Sequence, residues 1–170
     1  MKKLLLSLTV LLSTSLVAAD APTFTLTTVN EKNITVTEIK DGLEFKEFKG
    51  KAVLLALFGH RCPPCIKEIP EFVKLTETQN DKVEVIAIEA QEFPLNSLKT
   101  FVKEHNMNYN VVAGVNHSQF ISYIASRAGY TRGIPLPLLI AINKNGEVEN
   151  VQAGLIHEDE LELLVKDLND

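Results

Sequence analysis

The chain has 170 residues, 45% of them hydrophobic, which suits one domain with a sizeable core. Lys and Arg number 17 against 22 Asp and Glu, a formal charge of -5 at pH 7. That balance disfavours nucleic acid and anionic membrane surfaces as partners, and no apolar run within the body of the chain is long enough for a membrane span.

The first 19 residues stand apart. Lys2 and Lys3 give a positive start, residues 4–17 are apolar with small hydroxyls, and Val17-Ala18-Ala19 offers small residues to a signal peptidase. This is the pattern of a secretory signal peptide, with the cut expected between Ala19 and Asp20. The alternative is a retained anchor that tethers the protein to the membrane, although the apolar run is short for a spanning helix. Removing Lys2 and Lys3 takes the basic count from 17 to 15 against 22 acids, a formal charge of -7. No cysteine follows the cut, so lipid attachment there is not expected. Residues 20–170 are then a single domain released into the periplasm, an oxidising space.

Residues 23–39 alternate polar and apolar side chains on both sides of a polar loop at 30–33, the pattern of a β-hairpin. "DGLEFKEFKGK" reads as a polar connection. "AVLLALF" (52–58) has no alternation and predicts a strand buried on both faces. Residues 63–79 turn helical: Ile66, Ile69, Phe72, Val73 and Leu75 share one face, and Lys67, Glu71 and Lys74 the other. "KVEVIAIEA" predicts a second buried strand. "LNSLKTFVKEHN" predicts a helix capped by Asn96 or Ser97. A short strand "YNVVAG" and a helix "SQFISYIASRAG", ended by Gly129, follow. "LLIAINKNGEVENVQAG" reads as strand, Lys-Asn-Gly turn and strand, and "HEDELELLVKDLND" as a closing amphipathic helix with acids in its first turn. The alternation predicts an α/β fold, a central mixed β-sheet flanked by helices on both faces.

The two cysteines of the chain, Cys62 and Cys65, fall in "FGHRCPPCIKEIP", where the buried strand runs into the first helix. C-x-x-C in that context points to redox chemistry. Free backbone N–H groups and the positive end of the helix dipole face Cys62, which favours its thiolate and lowers its pKa below about 8.5. Cys65 lies one turn deeper. The pair divides labour: Cys62 attacks a substrate disulfide and Cys65 resolves the mixed disulfide. Pro63 suits a first helical position, while Pro64 removes a donor that would solvate the thiolate. Arg61 and His60 add positive groups nearby. A structural disulfide, a metal site and a copper-handling pair of thiolates are the competing readings; the four histidines show no paired spacing for zinc.

These stretches, with "YTRGIPLPLLIAINKNGEV" and the closing helix, resemble the thioredoxin superfamily, in particular the exported TlpA/ResA-like thiol-disulfide oxidoreductases. The resemblance covers roughly residue 23 to the C-terminus. It implies a thioredoxin-like fold, with an N-terminal β-hairpin and the helix-strand insertion of that branch. It implies Cys62 as the attacking and Cys65 as the resolving member of a redox-active disulfide, and Pro70 as the proline that kinks the first helix. Glu68 matches an acid that assists proton transfer there; by helical periodicity it falls inside the apolar face, where desolvation raises a carboxyl pKa. The resemblance also implies a cis-proline opposite the thiols. Pro135 and Pro137 compete for it, and counting back from "INKNG" favours Pro137, with the Leu136 backbone free to pair with an extended substrate. The chain departs from the family in having Arg61 where tryptophan is usual, Ala56 at the buried-acid position of cytoplasmic thioredoxins, and Leu138 after the cis-proline position.

The implied function is exchange of dithiol and disulfide with protein substrates. Reduction is favoured, for example of haem-attachment cysteines in cytochrome c maturation, with electrons from a membrane thiol donor and no organic cofactor or metal. A disulfide-forming oxidase is the alternative in the same chemistry. A copper-handling protein or a binding module on the same fold is the alternative outside it.

Overall fold

The computed structural model describes residues 21–170, so the leader expected over 1–19 lies outside the described residues. Ala52–Phe58 (β4) is buried at every position, as its unbroken apolar run requires, and forms the middle of a five-stranded sheet. Pro63–Gln79 (α1) carries the chain from β4 to Val83–Glu89 (β5), which pairs parallel with β4. Leu95–Glu104 (α2) leads to Asn110–Ala113 (β6), parallel to β5 at one edge. Ser118–Arg127 (α3) precedes Leu138–Ile142 (β7), which pairs antiparallel with the other side of β4. Val148–Ala153 (β8) returns from β7 through Asn143–Gly146, and Glu158–Asp167 (α4) closes the chain. The order β6-β5-β4-β7-β8 is a mixed sheet, and the whole is a thioredoxin-like α/β fold.

Alternation along β4 assigns its side chains to two cores. Ala52, Leu54, Ala56 and Phe58 meet Ile69, Phe72 and Leu75 of α1, Leu98 of α2 and Leu161 and Val165 of α4. Val53, Leu55 and Leu57 meet Phe120 and Ile124 of α3 on the opposite face. That second core is completed by a separate antiparallel sheet, Thr23–Thr27 (β1), Asn33–Ile39 (β2) and Gly42–Phe45 (β3), contributing Leu26, Ile34, Val36, Leu43 and Phe45.

The N-terminal unit therefore has three strands where a two-stranded hairpin is expected. Leu43 and Phe45 alternate with exposed Glu44, but four residues between glycine and charged neighbours make a weak period-two signal. A second difference lies at α2. Its first residue is Leu95 with Pro94 at the cap position, and the Pro94 carbonyl accepts from Leu98 N–H at 2.9 Å, so Asn96 and Ser97 are helical rather than capping.

Candidate active site

The site forms where β4 ends and α1 begins. Cys62 is the N-cap of α1, in extended conformation (φ -105°, ψ 103°), and Pro63 and Pro64 fill the first two helical positions, where missing N–H groups cost little. Cys62 and Cys65 are joined as a disulfide with Cα atoms 5.2 Å apart. Cys65 N–H also donates to Cys62 Sγ at 3.4 Å, so the sulfur at the cap accepts from the first helical turn. Cys62 is 7% exposed and Cys65 1%, which makes Cys62 the sulfur a partner can reach first.

Glu68, one turn beyond Cys65, is 2% exposed. Its Oε1 accepts from Ile156 N–H at 3.1 Å, just before α4. Burial pushes its pKa up to about 7, against the lowering effect of that hydrogen bond. Tyr109, also in the α1-side core, has its hydroxyl pushed up by burial and, secondarily, by the Glu68 charge.

The Leu136-Pro137 peptide is cis. Pro137 is buried immediately before β7, and Leu138 pairs with Leu57, so antiparallel register brings Pro137 to the Phe58 end of β4, beside the loop that leads to Cys62. The Pro137 carbonyl accepts from Gly154 N–H at 2.9 Å. Leu136 is partly buried against both cores. Pro135 is half-buried and precedes it in the same loop.

Arg61 is exposed, and its backbone N–H donates to Gln91 Oε1 at 2.9 Å. His60 is held by a residue that sequence reasoning missed. Glu89, the last residue of β5 and the register partner of Phe58, is fully buried. Its Oε1 lies 2.8 Å from His60 Nδ1 and accepts from the backbone N–H of His60 at 3.3 Å and Gln91 at 3.1 Å; its Oε2 accepts from Phe93 N–H at 2.9 Å. Because the carboxyl oxygen accepts, Nδ1 is assigned the imidazole proton. The His60 ring stacks on Phe93 at 3.8 Å with the planes 4° apart. The available signal was an acid in register with Val85 and Ala87 on a strand otherwise apolar on that side.

Chemically, the arrangement is a two-electron redox couple at a helix N-terminus, with a buried acid one turn away and a strand entrance at the same sheet end. The described residues contain no helix long and apolar enough to cross a membrane.

The AhpC/TSA family profile matches residues 17–151. The thiol-disulfide oxidoreductase ResA of Bacillus thuringiensis subsp. konkukian is 31% identical over 151 residues, spanning 88% of this chain and 77% of its own. ResA of Bacillus subtilis is 30% identical over 141 residues, spanning 82% and 69%. A thiol:disulfide interchange protein of the thioredoxin family from Chlorobium tepidum superposes with a TM-score of 0.64 at 25% identity, over 88% of this chain and 96% of the other. StoA from Bacillus subtilis shares the fold, with a TM-score of 0.63 at 20% identity over 86% and 98%.

Proposed function

The chain belongs to the AhpC/TSA family, and from that premise we propose that it is a thiol-disulfide oxidoreductase acting on protein substrates, exported and working as a reductase. The observation that carries this reading is the Cys62–Cys65 disulfide at the start of α1, with the more exposed sulfur at the cap. In the reduced protein the Cys62 thiolate attacks one sulfur of a substrate disulfide. A mixed disulfide forms and the other substrate sulfur leaves as a thiolate. Cys65 then loses its proton and attacks Cys62 Sγ. The Cys62–Cys65 bond forms, the mixed disulfide breaks, and the substrate departs as a dithiol carrying two electrons.

Glu68 takes the Cys65 proton during the second step, because a pKa of about 7 suits acceptance and return near neutrality. The Leu136 backbone aligns an extended substrate strand beside Cys62. The apolar leader with Lys2 and Lys3 supports export to the periplasm. In an oxidising compartment the dithiol is regenerated by a membrane thiol carrier, and haem-attachment cysteines are a substrate class that needs such reduction.

The deciding experiment uses a peptide disulfide and the reduced protein. Cys65→Ser should accumulate a mixed disulfide through Cys62, while Cys62→Ser should neither trap nor reduce the peptide. Undiminished peptide reduction by Cys62→Ser would overturn the assignment.

A further inference from the structure

The exchange chemistry above leaves the Glu89 side chain unused, although burying a carboxyl group is costly unless it is well partnered. Its four N–H partners come from two segments, residue 60 just before Cys62 and residues 91–93 just after β5. Gln91 continues the tie. Its Oε1 accepts from Arg61 N–H, and its side-chain amide packs so closely on Gly59 that any Cβ there would overlap it. Cys62 N–H in turn donates to the Gly59 carbonyl at 3.1 Å. Three consecutive residues, Gly59, His60 and Arg61, are thus fixed by two side chains of the neighbouring strand end, and the fixed segment ends on the attacking cysteine. Alternation along β5 puts Glu89 on the same sheet face as α1 and both sulfurs.

We propose that Glu89, seconded by Gln91, is a positioning residue for exchange with polypeptide disulfides: through His60 and the Arg61 backbone it presets the rim on which a substrate chain is aligned at Cys62. The proposal rests on the oxidoreductase reading. A fixed rim lowers the ordering cost of docking, so its loss falls on substrate capture rather than on sulfur chemistry. Glu89→Gln keeps the shape but offers an amide N–H₂ where an oxygen accepted, so one of the two ties, to His60 or to Phe93, is lost.

The test is steady-state reduction of a peptide disulfide, with a small aromatic disulfide as the comparison substrate. Glu89→Gln is expected to raise KM for the peptide about tenfold with little change in kcat, and to change the small-disulfide rate less than about twofold. His60→Ala, which removes the imidazole from the same carboxyl group, should raise the peptide KM in the same direction, and the double variant should raise it by less than the product of the two single effects, because the two residues share one contact. Gln91→Ala, which buries no new polar group, should raise the peptide KM in the same direction and decides the matter if Glu89→Gln fails to fold. An unchanged peptide KM, or equal losses on peptide and small disulfide, would overturn the positioning role while leaving the oxidoreductase reading intact. Failure of the wild-type protein to reduce the peptide at all would instead remove the reading beneath it.

Discussion

Glu68 shows how one buried side chain links the site to the stability of the protein. Its pKa is raised from 4.5 to about 7 by desolvation. Between those values the folded protein retains a proton that the unfolded chain has released, so stability falls as pH rises through the window. The full effect is roughly 3 kcal/mol, present below pH 4.5 and lost above pH 7. Urea denaturation of the oxidised protein, in which no thiol titrates, should therefore show stability falling more from pH 5 to pH 8 in the wild type than in Glu68→Gln. Glu68→Gln should lose that part of the slope and slow thiol exchange near neutrality; a variant with the wild-type slope would show that Glu68 does not carry it. Cys62 gives a second prediction. Alkylation of Cys65→Ser followed against pH should give a midpoint below the free-thiol value of about 8.5, because the Cys62 sulfur caps a helix and receives a backbone N–H in the first turn. A midpoint at or above that value would contradict it. The sequence exposes these residues unequally. C-x-x-C marks both sulfurs by spacing, and helical periodicity puts Glu68 among apolar neighbours. Glu89 offers only its position at the end of an apolar strand, because its partners are backbone N–H groups whose placement depends on the fold.

At the level of strands and helices, the long periodic segments and even the four-residue β6 are legible in the sequence, whereas the four-residue β3 is not. α1 runs over the residues its 3.6-residue pattern marks, with Pro70 inside it. β4 follows from seven apolar residues in a row. β3 escapes because its existence depends on partners: β2 on one side, and the turn after β7, where Leu43 N–H donates to the Gly146 carbonyl at 2.8 Å. Gly42 is required at that junction, since a Cβ would overlap the Gly146 carbonyl oxygen and crowd the backbone of Glu147 and Val148. Gly42→Ala should destabilise the protein by about 1–3 kcal/mol through backbone displacement. Loss of denaturation midpoint measures it, and an unchanged midpoint would mean that the junction yields freely. Lys74 and Glu158, an ion pair between α1 and the start of α4, have about half of each side chain exposed, so Lys74→Ala should cost well under 1 kcal/mol and less still in high salt.

Across the molecule, β4 separates two cores and is shielded on both faces, whereas β8 is an edge strand exposed at nearly every position. Amide hydrogen exchange should accordingly be slowest in β4 and its neighbours β5 and β7, and fastest among the strands in β8. Exchange of β8 as slow as that of β4 would imply that another surface covers this edge. The central mixed sheet is legible because β4, β5, β6 and β7 each carry an apolar signal and the exposed β8 follows β7 through the Lys-Asn-Gly turn. The way the N-terminal sheet attaches is not, because it is made by backbone bridges at two distant places. Beyond β1, Thr28 bridges Val112 and Val29 N–H donates to the Val111 carbonyl, at the β6 edge. At the other end Gly42 bridges Glu147, and Val148 N–H donates to the Asp41 carbonyl.

Those two bridges bear on the order in which the chain can fold. Residues 23–45 precede the five-stranded sheet in the chain, yet their backbone bridges await residues 111–112 and 147–148, roughly 80 to 110 positions later. β1, β2 and β3 pair with one another locally, but the second core they complete closes only once β7 supplies Leu138, Ile140 and Ile142. Contacts so far apart in sequence form slowly, so the N-terminal sheet is expected to dock onto the five-stranded sheet late in folding.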